Sequence, residues 1–215
     1  MRKYVLFDLD GTLTDPGVGI TKSVAHALRA FGIEVKDLAD LYGYIGPPLT
    51  DSFTRYHGLS PEDAVRAVGI YREYFSVTGK FENTVYPGIP EMFSALQKAG
   101  AVLGVASSKP RVFVEEILEH FDLKKYFAVV VGSELDGRRI RKDEVIREAM
   151  EQLGAEPADT VMVGDRSFDA EGAAANGIPC VGAAFGYGGR EELLAAGAAA
   201  VADDAAELGR ILLSL

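Results

Sequence analysis

Short apolar runs recur along the chain, and most of them end at glycine, aspartate or serine. The runs cover residues 4–7, 102–106, 128–131, 160–163, 179–181 and 199–201. Most of the intervening segments carry apolar side chains every three or four residues, which is the spacing of a helix that buries one face. Buried strands that alternate with helices predict an α/β fold, with a parallel sheet covered by helices on both faces.

The stretch between residues 15 and 85 breaks this alternation. It holds four helical patterns with no convincing strand between them, and the last pattern begins at Ser60, where Ser-Pro-Glu-Asp is typical of a helix start. Segments 13–19 and 78–87 have the Gly, Pro, Asp and Thr content of linkers. We therefore expect a discontinuous α/β core of residues 1–14 and 86–215, with an all-α cap of residues 15–85 inserted into it.

Composition and charge narrow the class of partner. Of the 215 residues, 48% are hydrophobic and 25% are charged, so the chain can bury an ordinary core. The net charge of −10 would repel a nucleic-acid polymer and an anionic membrane surface. The single cysteine, Cys180, fits a reducing compartment, and Asp8 and Asp10 interrupt the first apolar run well short of a membrane span. We expect a cytoplasmic protein, either a monomer or a homodimer.

Four polar signals lie at one edge of the predicted sheet. Asp8–Thr12 has the pattern D-x-D-G-T, Ser107–Lys109 follows the second apolar run, Lys142 opens a helix, and Gly164–Asp169 follows the run at 160–163. Ligands of an open α/β sheet bind in the crevice outside the carboxyl ends of its strands. These side chains are therefore expected to meet in space.

The acidic residues among them suggest a metal. Several carboxylates packed together are unfavourable unless a cation or a proton intervenes. Oxygen ligands without a cluster of Cys or His indicate a hard ion, Mg²⁺ before Ca²⁺ if phosphate completes the coordination. The acidic residues concerned are Asp8, Asp10 and Asp165, with Asp169 beside them. For Asp169 three roles stay open: binding the metal through water, holding Lys142, or lying solvated on a helix.

The remaining polar residues suggest a phosphate site. Ser107 and Ser108 precede a helix expected to start at the following proline, so their hydroxyl and N–H groups could hold phosphate at its N-terminus, with helix capping as the alternative. Lys109 either contacts substrate or is a surface charge. Lys142 is preferred over the neighbouring basic residues because Asp143, expected to cap the next helix, places it nearest the sheet edge.

Taken in order, these motifs resemble the haloacid dehalogenase superfamily, in its branch of phosphoglycolate phosphatases. The resemblance implies a Rossmann-like core with a cap inserted after the first motif. It also implies that Asp8 is a nucleophile, Asp10 a general acid and base, and Ser107 and Lys142 ligands of the substrate phosphate. Mg²⁺ would be held by Asp8, the backbone carbonyl of Asp10, and Asp165.

The expected activity is Mg²⁺-dependent hydrolysis of a small phosphorylated metabolite through an aspartyl-phosphate. In the dehalogenase branch the position of Asp10 is not acidic, so an aspartate there argues for phosphoryl transfer. Specificity in related enzymes comes from the cap, and the segment 42–49, with Tyr44, Gly46 and Pro47, is the candidate loop. It offers no cation for a second phosphate or a carboxylate.

The substrate stays open between phosphoglycolate, a nucleoside 5'-monophosphate and pyrophosphate. Two departures from the family pattern weaken the transfer of one named substrate: Asp-Glu follows Lys142 where relatives often have proline, and Ser108 stands where phosphoglycolate phosphatases often carry asparagine. Two further alternatives are a phosphosugar mutase and a phospho-acceptor signalling module without enzymatic activity. The uncharged segment 42–49 counts against the first, and the D-x-D-G-T spacing with its cap counts against the second.

Overall fold

The computed structural model describes residues Met1–Leu215 and divides into two compact units. The core unit comprises Met1–Asp15 and Val85–Leu215, and the helical unit comprises Pro16–Thr84. These boundaries differ by one residue from those expected for the core and the cap. The functional assignment of the two units remains a prediction. Strands β2 (Thr14–Asp15) and β3 (Thr84–Val85) pair where the chain passes between the units.

The core unit is built on a six-stranded parallel sheet with the order β5-β4-β1-β6-β7-β8. The strands are β1 (Tyr4–Phe7), β4 (Val102–Pro110), β5 (Phe127–Ser133), β6 (Thr160–Gly164), β7 (Cys180–Ala183) and β8 (Ala200–Ala202). The helices of this unit are α4 (Ile89–Lys98), α5 (Arg111–His120), α6 (Lys142–Leu153), α7 (Ser167–Ala175), α8 (Gly189–Ala195) and α9 (Ala205–Ser214). The predicted α/β class is confirmed.

The central strand β1 shows why helices cover both faces. Successive side chains of a strand point to opposite faces of the sheet. Leu6 belongs to a buried cluster with Val145 and Ile146 of α6 and Ala170 of α7. The next residue, Phe7, packs edge to face against Phe93 of α4, with ring centroids 5.3 Å apart. Apolar residues therefore continue along the whole strand, because neither face meets solvent.

The helical unit contains three α-helices instead of the four expected. They are α1 (Gly17–Ala30), α2 (Leu49–His57) and α3 (Pro61–Phe75), and Leu38–Tyr44 and Gly79–Phe81 form 3₁₀ helices. Ser60 precedes α3, and its side chain accepts a hydrogen bond from the backbone N–H of Asp63, as the sequence predicts. Residues 42–44 are therefore helical and do not belong to an open loop.

One boundary in the core unit was predicted wrongly. Strand β4 continues to Pro110, which pairs with Ser133 of β5, and α5 begins only at Arg111. Pro110 has an extended backbone, with φ −53° and ψ 129°, and no side chain caps the helix. Ser107 and Ser108 therefore lie on the end of a strand, not at a helix N-terminus.

None of the helices is both long and apolar enough to cross a membrane.

The side chain of Cys180 is expected to be inert in the folded protein. It is buried on β7, and burial raises the pKa of its thiol. Since the thiolate is the reactive form, a thiol reagent should modify the native protein at least about a hundredfold more slowly than the protein in denaturant. Absorbance of the released chromophore measures both rates. Comparable rates would contradict the buried placement of this strand.

Candidate active site at the carboxyl ends of the central strands

Three neighbouring strands bring the polar motifs together. Asp8 follows β1, Asp165 follows β6, and Ser107–Lys109 form the end of β4, with β1 paired between the other two strands. Lys142 is the first residue of α6, as predicted. The motifs thus lie at one edge of the sheet, which is where ligands of open α/β sheets bind.

Three buried carboxylates form the centre of the site. Asp8, Asp165 and Asp169 each offer an oxygen, and these oxygens lie within 4.8 Å of one another. Burial, followed by the charges of Asp169 and Asp8, raises the pKa of Asp165 well above its ordinary value. Burial also raises the pKa of Asp169. The three groups cannot all ionise in this setting without a compensating cation.

Lys142 supplies part of that compensation. Its Nζ lies 2.9 Å from Asp8 Oδ1 and 2.9 Å from Asp169 Oδ1, and it donates a hydrogen bond to the Ala106 carbonyl at 3.3 Å. Burial alone would lower the pKa of this lysine, but the attraction of Asp169 and Asp8 is larger, and the net shift is upward. Lys142 is therefore a charged bridge inside the site.

Asp143 does not cap α6, contrary to the prediction from the sequence. The N-cap of α6 is Arg141, and Asp143 is the second residue of the helix. Lys142 occupies the first helical position and contacts Asp8 and Asp169, while Asp143 pairs with Arg141 and Arg147.

Asp169 has one of the three roles that the sequence left open, that of holding Lys142, while binding of a metal through water remains a prediction. Its Oδ1 pairs with Lys142, and its Oδ2 accepts a hydrogen bond of 3.0 Å from the backbone N–H of Arg166, the N-cap of α7. It is buried, so the solvated role is excluded. It also belongs to the carboxylate cluster with Asp8 and Asp165.

The side chain of Asp10 lies outside the carboxylate cluster. It forms an ion pair with Lys109, and only its backbone carbonyl remains a candidate metal ligand. Burial raises the pKa of Asp10, and the opposing charge of Lys109 does not cancel the effect. Lys109 is buried in this pair, which excludes the surface-charge alternative. A carboxyl group with raised proton affinity is suited to general acid and base chemistry.

The two serines of β4 differ in their surroundings. The Ser107 side chain is buried, and its Oγ accepts a long hydrogen bond of 3.4 Å from the backbone N–H of Lys109. The Ser108 carbonyl accepts a hydrogen bond of 2.7 Å from Ser133 Oγ on the neighbouring strand β5. Binding of substrate phosphate by either serine remains a prediction.

Two residues around Asp165 were not predicted from the sequence. Thr12 Oγ1 donates to Asp165 Oδ1 over 3.4 Å, and the backbone N–H of Tyr187 donates to Asp165 Oδ2 over 2.8 Å. Thr12 lies within the D-x-D-G-T motif, and Tyr187 lies in a glycine-rich segment that could equally have been an ordinary turn. The motif could therefore have indicated Thr12, whereas the neighbouring glycines were the only feature of the sequence that pointed to Tyr187.

The predicted specificity loop requires a correction at Tyr44. Only 2% of this residue is exposed, and it packs edge to face on Phe53 inside the helical unit. Its hydroxyl lies 2.7 Å from His57 Nδ1. The aromatic ring is buried because it fills the unit's own core. Gly46, with φ +105°, and Pro47 form the turn that follows, and their role in selecting substrate remains a prediction.

The residues of the cluster suit a divalent hard cation. Asp8, Asp165 and Asp169 supply oxygen donors, no cysteine or histidine joins them, and all three are buried. Mg²⁺ binds through one or two carboxylates and completes its octahedral coordination with water and phosphate oxygens. The donor set therefore fits a hard divalent cation, and its identity as Mg²⁺ remains a prediction.

Comparison with known proteins decides the family. The model of haloacid dehalogenase-like hydrolases matches residues 5–183 of this chain. The chain belongs to this family. The match covers every carboxylate and lysine described above, so membership in the haloacid dehalogenase-like hydrolases applies to the part of the chain that forms the site.

The relatives of this hydrolase carry several names. A 5'-nucleotidase of Pseudomonas aeruginosa is 48% identical over 191 residues, which cover 89% of this chain and 86% of that protein. Tyrosine-protein kinase PtkA of Mycobacterium tuberculosis is 42% identical over 187 residues, and the match spans 86% of this chain but 63% of the kinase. A phosphoglycolate phosphatase of Vibrio vulnificus is 30% identical over 221 residues, and the match covers 98% of this chain and 96% of that protein.

A solved structure matches both units. The crystal structure of a predicted phosphatase from Clostridium acetobutylicum is 48% identical, with a TM-score of 0.97 and complete coverage of both chains. That predicted phosphatase thus shares the fold of this chain along its whole length.

Proposed function

We propose that this phosphatase of the haloacid dehalogenase-like family hydrolyses phosphate monoesters of small metabolites, with Mg²⁺ and an aspartyl-phosphate intermediate on Asp8. The observation that carries the proposal is the buried cluster in which Lys142 joins Asp8 to Asp169 beside Asp165. A site with three acidic groups and one lysine is suited to hold a divalent cation and, with it, a phosphate group.

In the proposed first step the Asp8 carboxylate attacks phosphorus. The bond from phosphorus to the ester oxygen breaks, and that oxygen leaves with the proton that Asp10 donates. Asp10 can hold this proton because burial raises its pKa. Lys142 keeps the Asp8 carboxylate in place through the contact at Oδ1 and adds positive charge near the transferring group.

In the second step water attacks the phosphorus of the aspartyl-phosphate. Asp10, now ionised, accepts the proton of the water, and the bond from phosphorus to Asp8 breaks. Inorganic phosphate leaves, and both aspartates return to their starting states. Asp10 thus acts as an acid in the first displacement and as a base in the second. This is what microscopic reversibility requires, because the attack of water resembles the reverse of the departure of the ester oxygen.

Mg²⁺ held by Asp8, Asp165 and the Asp10 carbonyl, with Asp169 beside it, would neutralise charge on the phosphoryl oxygens. Ser107 and Lys142 are the proposed contacts of the substrate phosphate, with Ser108 as a further candidate. In this scheme Lys109 holds the side chain of Asp10 in place, because the two side chains form an ion pair.

For the substrate, nucleoside 5'-monophosphates come first and phosphoglycolate second. The relative named 5'-nucleotidase is 48% identical, whereas the phosphoglycolate phosphatase is 30% identical. The uncharged segment 42–49 offers no cation for the carboxylate of phosphoglycolate, which agrees with this order. Within the helical unit, the turn at Gly46 and Pro47 is the candidate for substrate selection.

The test is phosphate release from a panel of nucleoside monophosphates, phosphoglycolate, pyrophosphate and sugar phosphates, each with Mg²⁺ or with EDTA. We expect one class to stand well above the others and to lose turnover in EDTA. Activity without a bisphosphate primer, with stoichiometric phosphate release, separates hydrolysis from mutase chemistry. A stable phosphorylated protein without turnover would instead support a phospho-acceptor.

Binding of Mg²⁺ is also expected to stabilise the folded protein. The cation would relieve repulsion among the three carboxylates, and a ligand at 100 times its Kd adds about 2.7 kcal/mol to the free energy of unfolding. For a chain of this size that corresponds to a rise in Tm of roughly 5–10 °C. Differential scanning calorimetry with and without Mg²⁺ measures it.

The matched variants for this experiment are Asp165→Asn and Asp203→Asn. Asp165 is a buried member of the cluster, whereas Asp203 forms an exposed ion pair with Arg190. Asp165→Asn should remove the Mg²⁺-dependent shift without lowering the Tm of the metal-free protein, because it removes one of the repelling groups. Asp203→Asn should keep the shift. An equal shift in both variants would contradict the metal site.

A further inference from the structure

Residues 185–188 belong to the connection between β7 and α8 and lie in close contact with Asp165. We call this segment the 185–188 loop. The backbone N–H of Tyr187 donates a hydrogen bond of 2.8 Å to Asp165 Oδ2. A Cβ built on Gly186 would lie 2.5 Å from the same oxygen and would also clash with the carbonyl of Gly11. A Cβ on Gly188 would clash with the backbone carbonyl of Asp165. The loop therefore lies so close to Asp165 that a side chain at position 186 or 188 would clash with it.

A second segment, Gly11 and Thr12, also lies close to Asp165. Gly11 has φ +77°, and a Cβ there would clash with the Asp165 carboxylate. Thr12 Oγ1 donates to the other oxygen, Oδ1, over 3.4 Å. Gly11 and Gly186 thus both approach Oδ2 of this carboxylate, Thr12 donates a hydrogen bond to Oδ1, and Tyr187 donates one to Oδ2. The orientation of the carboxylate depends on the place of the 185–188 loop.

Two aromatic side chains hold the loop itself. The hydroxyl of Tyr187 donates to Asp15, and the ring of Phe185 packs edge to face on Tyr86, with centroids 5.0 Å apart. The backbone N–H of Tyr86 donates to the Leu13 carbonyl over 3.1 Å. Asp15 ends the first segment of the core unit, and Tyr86 is the second residue of its other segment, so both lie at the boundaries with the helical unit. The loop is thus anchored at both connections.

We propose that the 185–188 loop is a positioning element for metal binding, in which Gly186 and the Tyr187 backbone orient Asp165 and the Tyr187 hydroxyl and Phe185 ring anchor the loop. The inference rests on the proposed function, since it assumes that Asp165 is a metal ligand. Groups that orient a ligand tune the affinity for the metal, and losing one costs about 10–100-fold in affinity. Neither Gly186 nor Tyr187 touches the substrate phosphate in this scheme.

Two loop variants and two matched controls test it. Gly186→Ala places a Cβ against Asp165, and Tyr187→Phe removes the anchor to Asp15 while the backbone N–H stays. Gly104→Ala is the control for the first variant, because its Cβ would lie 2.9 Å from Leu6 Cδ2 in the core, away from the site. Tyr126→Phe is the control for the second, since Tyr126 precedes β5 at the opposite edge of the sheet.

The readout is the Kd of Mg²⁺ alone, measured by calorimetry on the protein without substrate. We expect Gly186→Ala to weaken binding about 10–100-fold and Tyr187→Phe about 3–10-fold, with both controls within about twofold of the parent. Turnover of Tyr187→Phe should return to within about twofold of the parent at saturating Mg²⁺. A loss of kcat caused by displaced catalytic groups would persist at saturating Mg²⁺.

Each outcome decides a part of the inference. Mg²⁺ binding by the parent with unchanged affinity in both loop variants overturns the inference and leaves the proposed function intact. No Mg²⁺ binding by the parent overturns both. If Gly186→Ala does not fold, Tyr187→Phe decides alone, because removing one hydroxyl leaves the backbone unchanged. If Gly186→Ala weakens Mg²⁺ binding and Tyr187→Phe does not, the contact of the loop with Asp165 is supported and the role of the hydroxyl anchor is overturned.

Discussion

Replacing Asp8 with asparagine is expected to lower kcat by at least about a thousandfold while the protein stays folded. Asparagine has nearly the same shape, but its amide cannot attack phosphorus. The fold should tolerate the change, because Lys142 keeps its contact with Asp169 and one of three clustered carboxylates is removed. Steady-state phosphate release and thermal unfolding measure the two effects. Mass spectrometry of quenched enzyme should show one added phosphoryl group in the parent and none in the variant.

The control for Asp8→Asn is Asp203→Asn, the same change in an exposed ion pair. It should leave kcat and Tm nearly unchanged, since surface substitutions rarely alter stability by more than about 0.5 kcal/mol. Activity of Asp8→Asn above about a tenth of the parent would refute the nucleophile assignment, because no other group in the proposed scheme forms the covalent intermediate.

Replacing Lys142 with methionine is expected to damage both turnover and stability. The ammonium group lies 2.9 Å from both Asp8 and Asp169, and methionine would leave those buried carboxylates without their cation. Removing one partner of a buried ion pair costs about 3–5 kcal/mol, and losing a donor aimed at developing charge costs roughly 10²–10³-fold in kcat. Urea unfolding and phosphate release measure the two losses.

The stability loss of Lys142→Met should depend on pH. Burial already raises the pKa of Asp169, and the loss of the lysine raises it further, so the folded variant takes up protons more readily than the unfolded chain. The deficit in unfolding free energy should therefore be smaller at pH 5 than at pH 8. A deficit independent of pH would contradict the charge argument.

Two controls separate charge from shape. Lys98 lies exposed in the last turn of α4, and Lys98→Met should change neither property. Lys142→Arg keeps the charge, but its planar fork cannot reproduce the contacts of a compact ammonium. It should recover part of the stability while kcat stays low. Equal stability of Lys142→Arg and Lys142→Met would show that packing, not charge, accounts for the loss.

The order of strands and helices in the core unit followed from the sequence. Runs such as Tyr4–Phe7 and Thr160–Gly164 are buried on both faces, so their apolar character is continuous and visible locally. The end of β4 was misjudged because Pro110 fits a helix start and a strand end equally well, and only its pairing with Ser133 on β5 distinguishes them.

The helical unit was predicted less well. A helical spacing of apolar residues does not distinguish an α-helix from a 3₁₀ helix, and Leu38–Tyr44 is the latter. Tyr44 was assigned to an open loop because its neighbours are Gly and Pro. Its burial depends on Phe53 and His57 of α2, which packing alone brings against it.

For the site, the residue types and their positions led from the sequence to Asp8, Asp165 and Ser107 at strand ends and to Lys142 at a helix start, and their catalytic roles remain predictions. Which charges pair was decided only by the tertiary structure: Lys109 with Asp10, and Lys142 with Asp8 and Asp169. The contact of Tyr187 with Asp165 joins residues that are 22 positions apart. Contacts between residues so far apart in the sequence depend on which strands pair side by side in the sheet. No local pattern in the chain encodes that arrangement.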